Sequence, residues 1–174
     1  MKVQPIRTER LELVALAPEA IRDLIAGRRL EAERAAGLNL PAEFPTRDEL
    51  SGFLPIQLRR MEAGPGKRQW MARVMVSARD GVVGHCGFHG PPERIGRAEI
   101  GYTVFSEFRG RGFAKEAAQG LVGWAFEQGE REVYATVSPA NAPSLAVVKA
   151  LGFTQVGTQE DEVDGLELVF VKRA

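Results

Sequence analysis

The chain has a single cysteine, Cys86, and only two histidines, His85 and His89. An internal disulfide is excluded. The histidines stand four apart with no acidic or thiol group at ligand spacing, so the sequence offers no structural zinc site and no metal is expected. Nowhere is there a run of ~18 apolar residues, and the opening "MKVQPIRTERLELVALAPEA" carries no long apolar stretch after its charges. The expectation is a cytoplasmic protein with no membrane partner. An excess of one charge is also missing. Lys+Arg and Asp+Glu stand at 23 each, which speaks against a globally basic nucleic-acid binder and leaves any attraction for anions local. Repeats and low-complexity tracts are absent, and the Pro/Gly clusters at 63–68 and 88–97 are too short for linkers. Residues 1–174 are therefore expected to form one domain, burying roughly 70% of the surface the unfolded chain exposes.

What is present reads as alternating strands and helices. "RLELVAL" (10–16) has strand period, and "APEAIRDLIAG" (17–27) follows with Pro18 suited to a first helical turn and Ile21, Leu24 and Ile25 on one face. After Pro45, Thr46 and Glu49 are spaced as a capping box for a helix running to Gly64, with Pro55 interrupting it. "QWMARVMVSA" and "GVVGHCGFHG" flank Asp80-Gly81, a hairpin signal, and "RAEIGYTVF" (97–105) extends the meander. Residues 111–129 place Ala114, Ala117, Ala118, Leu121, Val122 and Ala125 in one helical stripe that stops at Gly129. A short strand, 132–137, precedes a helix from Asn141 whose Gly152 and Phe153 fit a Schellman ending against Val148. Two strands joined by an acidic turn at 160–164 close the chain. The order gives an α/β (α+β) fold with a mixed, mostly antiparallel sheet and one parallel pair across the 111–129 crossover.

The stretch "FRGRGFAKEAA" (108–118) puts Arg109, Arg111, Lys115 and two glycines where a strand gives way to a helix. Free backbone N–H groups, the positive end of a helix dipole and the missing Cβ atoms together suit a phosphate. Spelling excludes two phosphate loops. Lys115 stands where the third glycine of a dinucleotide fingerprint belongs, and the Gly-Lys-Ser/Thr of a Walker loop is missing. The tetrad "RGFA" begins an RNA-binding strand pattern, but Lys115-Glu116 breaks it and the helical stripe that follows opposes a strand. By itself the stretch is either a polar corner or an anion cradle.

Arg109-x-x-Gly112-x-Ala114 resembles the R/Q-x-x-G-x-G/A loop of the GNAT N-acetyltransferases. "AEIGYTVFSEFRGRGFAKEAAQGLVGWAF" and "VYATVSPANAPSLAVVKALGFTQVG" look like the RimJ/RimL-like branch of that superfamily, as does the "RTERLEL" opening. The close match spans about residues 97 to 157. The resemblance implies a sheet splayed between strands 98–105 and 132–137, with helices on both faces. It implies acetyl-CoA as co-substrate, held by Thr103 and Val104 on the first strand, by Arg109, Gly110, Arg111, Gly112, Phe113 and Ala114 in the loop, and by Asn141 at the later helix start.

The same resemblance puts a carboxylate near the thioester, here Glu99, as the base that takes the amine's proton directly or through water. It puts a hydroxyl, Ser144, beside the departing sulfur. The tyrosine acid of many relatives is replaced by Val148, which leaves Ser144 as the remaining hydroxyl of that helix. Without the family, Glu99 reads as a solvent-facing strand residue, and Ser144 reads equally as part of a helix cap. Trp70 is an expected acceptor contact. Phe44 and the His85–Cys86 pair read as core or cleft-lining residues.

The implied function is acetyl transfer to a primary amine, on a protein N-terminus or a small molecule, by direct attack in a ternary complex. A coenzyme-A-binding regulatory domain without turnover is the alternative. A monomer or homodimer fits, no nucleic-acid partner is expected, and segments 26–66 and 157–166 should shape the acceptor cleft without any motif naming the acceptor.

Overall fold

The computed structural model describes residues 3–162 and 164–174; Val163, within the expected acidic turn, lies outside them. Eight strands form one sheet: β1 (Ile6–Arg7), β2 (Leu11–Ala15), β3 (Ala72–Ser77), β4 (Gly81–Phe88), β5 (Ala98–Val104), β6 (Glu132–Val137), β7 (Thr154–Asp161) and β8 (Gly165–Arg173). Their order is β1-β2-β3-β4-β5-β6-β8-β7. Every neighbouring pair is antiparallel except β5–β6. That parallel pair is possible because a helix, α5 (Phe113–Glu127), carries the chain back across the sheet between them.

Period-two alternation in the strands separates two apolar layers. Leu11, Leu13, Met75, Val83 and Ile100 pack with Phe113, Ala117, Ala118 and Leu121 of α5. On the other face Leu16, Val74 and Val82 pack with Ile21 and Leu24 of α1 (Pro18–Ile25), Ala32 of α2 (Arg29–Ala36), and Leu54 and Met61 of α3 (Leu54–Ala63). Helices therefore cover both faces, as expected. The expected α5 stripe is buried except at Ala114, which is half-exposed at the mouth of the helix.

Several local signals appear as written. The Thr46 N–H donates to Glu49 Oε2 at 2.7 Å and the Glu49 N–H to Thr46 Oγ1 at 3.2 Å, a reciprocal capping box. Pro55 does divide that segment: a π-turn, Glu49–Phe53, precedes α3, which starts at the residue before the proline. A helix, α6 (Ala142–Ala150), closes with Gly152 at φ +73° and the Phe153 N–H donating to Val148 O at 3.0 Å.

The two-residue strand β1, the helix α2 and a single turn, α4 (Pro92–Ile95), were not expected. Only Ala32 of α2 is buried, so the apolar period that betrays a helix is nearly absent from its sequence.

Candidate active site

The strands β5 and β6 pair only at Ala98–Val133 and Glu99–Tyr134. Beyond Glu99 they part, while β5 stays paired to β4 as far as Val104 and β6 stays paired to β8 along its whole length. The sheet is split from one edge, and the split ends at the start of α5.

A cavity of about 580 Å³ fills that end. One wall is Thr103 and Val104 of β5, the next is Arg109, Gly110, Gly112, Phe113, Ala114 and Lys115, and the opposite wall is Asn141, Ser144 and Val147. Gly112 caps α5 at φ +82° with no side-chain cap hydrogen bond. The first helical turn therefore keeps its N–H donors, at the positive end of a 15-residue helix, for whatever enters the cavity.

Two loop cations behave differently from the expectation. Arg111 does not line the cavity. Its guanidinium pairs with Asp80 at 2.9 Å and lies over Phe108 and Phe113. Arg109 does line it, but its Nε donates to Val104 O at 3.1 Å, so that carbonyl is already engaged. Lys115 is the remaining loop cation at the cavity. The loop is anchored from behind by Glu116, which accepts from Thr8 Oγ1, the Arg10 N–H and Arg10 Nε at 2.6, 2.6 and 2.7 Å.

Asn141 is the N-cap of α6, its Oδ1 accepting from the Ser144 N–H at 3.1 Å. Both residues also line the cavity, so capping and lining coexist. Asn141→Ala is expected to cost about 1 kcal/mol of stability from the lost cap, read by urea denaturation.

Tyr102, Asn141 and Ser144 also line a second cavity of about 360 Å³, shared with His89, Thr136 and Glu167. A third, of about 170 Å³, holds Phe53, His85, Gly101, Tyr102 and His89. The spaces meet at Tyr102. Its hydroxyl donates to Ser144 O at 3.5 Å, and burial pushes its pKa up. The expected cleft-forming segments contribute Phe53 from one side and Asp164 from the other.

Glu99 is neither solvent-facing nor open to the cleft. It is 7% exposed, and its Oε1 accepts from Thr136 Oγ1 at 2.8 Å while Oε2 accepts from Arg97 Nε at 2.6 Å. His89 Nδ1 lies 3.3 Å from Oε1. Burial alone would raise its pKa, but His89, Thr136 and Arg97 outweigh it and hold the carboxyl at about 2.

Trp70, the expected acceptor contact, is in the core. It is 5% exposed, with Phe88 and Trp124 edge-on at ring distances of 4.7 Å each, and it lines none of the three cavities. The reason is register: Trp70 ends the turn before β3 and tucks under the sheet on the α5 side. Phe44 is fully buried on the opposite face. Both members of the His85–Cys86 pair line the third cavity, the histidine with Nε2 2.5 Å from Glu49 Oε1. The thiol beside it is also at that wall, and burial pushes its pKa up to about 12.

A profile of the acetyltransferase (GNAT) domain matches residues 10–154. The chain belongs to the GNAT acetyltransferase family. "Uncharacterized N-acetyltransferase p20" of Bacillus licheniformis is 37% identical over 89 residues, covering 51% of this chain and 50% of that protein. The chain thus spans about half the length of this curated relative. Among solved structures, an acetyltransferase from Agrobacterium tumefaciens superposes with a TM-score of 0.65 at 27% identity, over 100% of this chain and 96% of the other. RimL, the ribosomal L7/L12 alpha-N-protein acetyltransferase, in complex with coenzyme A superposes at 0.66 and 18% identity over 98% of each chain. In this acetyltransferase-family chain, the split of β5 from β6 and the α5 start supply the signature loop's setting.

His89 and Tyr102 are the cleft residues that sequence reasoning missed. Tyr102 lay inside the "AEIGYTVF" motif, but its meeting with α6 depends on the split. His89 was visible only as one of a pair without a ligand partner.

Proposed function

We propose that the protein is an acetyl-CoA-dependent N-acetyltransferase that moves an acetyl group to a primary amine by direct attack in a ternary complex. The carrying observation is a pair of adjoining cavities with Tyr102, Asn141 and Ser144 in common, one with a cradle of helix N–H groups and the other with room for an amine.

Arg109 to Ala114 would hold the pyrophosphate of acetyl-CoA through backbone N–H groups, with Lys115 adding charge. The open edge of β5 at Thr103 and Val104, with Asn141 opposite, would hold the pantetheine arm. When bound, acetyl-CoA supplies the thioester carbonyl that the amine attacks. An amine with a pKa near ~10 is protonated at neutral pH and cannot attack, so the protein must draw off a proton. Glu99 would take part in that proton transfer only through a group or water that reaches the cleft, since its own carboxylate is buried on Thr136 and Arg97. A strand N–H near Val104 would polarise the carbonyl, and the Ser144 hydroxyl would hydrogen-bond the departing sulfur.

The acceptor is a protein N-terminus or a small-molecule amine. The fold shared with RimL supports the first, and the acidic Asp164 and Glu167 beside the second cavity suit a cationic acceptor of either kind. Thiol release from acetyl-CoA is the test, across alanine- and serine-initiated hexapeptides, spermidine, lysine and kanamycin. Turnover with one class is expected. Acetyl-CoA binding with no release for any of them would instead favour a coenzyme-A-binding regulatory domain. Ser144→Ala is expected to lower kcat only about threefold to tenfold, because a thiolate leaving group with a pKa near ~8.5 needs little help.

A further inference from the structure

His89 follows β4 directly, and its backbone is fixed at both ends. Its N–H donates to Glu99 O at 2.8 Å, and its carbonyl accepts from Arg60 Nη1 of α3. The ring is therefore aimed, even though the side chain is 48% exposed. One ring nitrogen, Nδ1, lies 3.3 Å from Glu99 Oε1. The other, Nε2, lies over Gly101, where an added Cβ would come to 3.0 Å. Gly101 is what leaves room for it. His89 is also the side chain, along with Gly101 and Tyr102, that lines both smaller cavities.

Both oxygens of Glu99 are occupied, and the residue lines none of the three cavities, so no lone pair is presented to an amine. His89 has the complementary arrangement. A carboxylate 3.3 Å from Nδ1 favours the tautomer protonated there, whose Nε2 carries the free lone pair. His85 cannot serve in the same way, because its Nε2 is spent on Glu49 at 2.5 Å and its ring stacks on Phe53.

We propose that His89 Nε2 is the proton acceptor for the amine, and that Glu99 acts through it as a positioning residue. As the amine nitrogen bonds to the acetyl carbon and the carbon–sulfur bond breaks, the N–H proton passes to Nε2. The sulfur leaves with its electron pair as a thiolate, hydrogen-bonded by the Ser144 hydroxyl, and takes its proton from solvent. The imidazolium so formed is stabilised by Glu99, whose own charge is held by Arg97 and Thr136. This assignment rests on the acetyltransferase reading above.

The charged and titratable groups around His89 are Glu99 of β5 and Arg97 just before that strand, Arg60 from α3, Tyr102, Asp164 and Glu167 across the second cavity, and the His85–Glu49 pair beside the third. The experiment measures kcat against pH on the best acceptor of the panel, with acetyl-CoA affinity by calorimetry. His89→Gln is expected to lower kcat about 100-fold or more and to erase its acidic limb, with acetyl-CoA affinity unchanged. Imidazole added to His89→Gly should restore at least about tenfold of the loss. Glu99→Gln should lower kcat less than His89→Gln does, with acetyl-CoA affinity unchanged, and should weaken the preference for the Nδ1-protonated tautomer of the His89 ring. With only two histidines, nitrogen-15 spectra resolve both rings; wild type should show the His89 tautomer protonated on Nδ1.

Active wild type with His89→Gln within threefold of it, or with the acidic limb retained in that variant, overturns the role of His89 alone. Wild type that binds acetyl-CoA yet acetylates nothing overturns the enzymatic reading and this assignment with it. His89 is half-exposed, so the variant is expected to fold, and its unchanged acetyl-CoA affinity verifies that it has.

Discussion

Gly112→Val is expected to lower affinity for acetyl-CoA about tenfold to 100-fold while leaving the protein folded. Gly112 caps α5 at φ +82°, a conformation that β-branched residues almost never adopt. Forcing valine into it costs on the order of 1–3 kcal/mol. The new Cβ would also stand 3.3 Å from Arg10 Nη2, the tip of a side chain already committed to Glu116 and to Arg111 O. The cheapest relief is to reshape the exposed loop, and that moves the first-turn N–H groups that the cavity presents. Each 1.4 kcal/mol of lost complementarity is tenfold in affinity, hence the expected range. Two controls separate the causes. Gly110→Ala carries a similar strain at φ +74° with open space around its Cβ, so it should weaken binding less. Gly123→Ala lies within α5 with nothing near its Cβ and should stabilise by up to about 1 kcal/mol without touching affinity. Calorimetric titration with acetyl-CoA checks all three; unchanged affinity in Gly112→Val would remove the loop from donor binding.

The helix starts around the larger cavity were legible because their determinants are local. A glycine-capped helix start, a capping asparagine and a terminal Schellman glycine are each specified by a few adjacent residues, and the structure has Gly112, Asn141 and Gly152 in those roles. The β3–β4–β5 meander and the parallel β5–β6 pair followed from hairpin signals and one crossover helix, whereas the insertion of β8 between β6 and β7 did not. The acceptor half was not legible, because its determinants are distant in sequence. His89 meets Glu99 ten residues on, and Glu99 meets Thr136 only because a parallel pair forms and then parts. His85 meets Glu49 across two helices' worth of chain. Spacing rules look for ligands along an element, so both histidines read as lacking acidic partners when each has one through space. Trp70 erred in the opposite direction: a large aromatic near a cleft-forming segment is an attractive contact, but it packs with Phe88 and Trp124 where burial of its ring stabilises most. Arg111 shows the same limit, since its partner Asp80 lies on the β3–β4 turn.

Glu99→Leu is expected to destabilise the protein by roughly 3 kcal/mol at neutral pH, the lower end of the range for breaking a buried pair, because Arg97 and His89 can still reach water. The loss has three sources: the Arg97 guanidinium, the Thr136 hydroxyl and the His89 ring all lose an acceptor they reach in the folded state. The pH dependence gives the sign. In the folded protein the carboxyl sits at about 2, well below its ordinary value of 4.5. A depressed folded-state pKa contributes stability that is fully present above the unfolded value and is lost as pH falls toward the folded one. Wild type should therefore lose this contribution between about pH 4.5 and 2, while Glu99→Leu, with nothing to protonate there, should not. The stability gap between the two should narrow steadily across that window, read as urea midpoints at stepwise lower pH. A gap that stays constant on acidification would mean that the Glu99 anion is not held by its partners in solution. That would also remove the fixed charge against which an imidazolium at His89 is stabilised, so the acid titration tests the support of the catalytic arrangement without measuring catalysis.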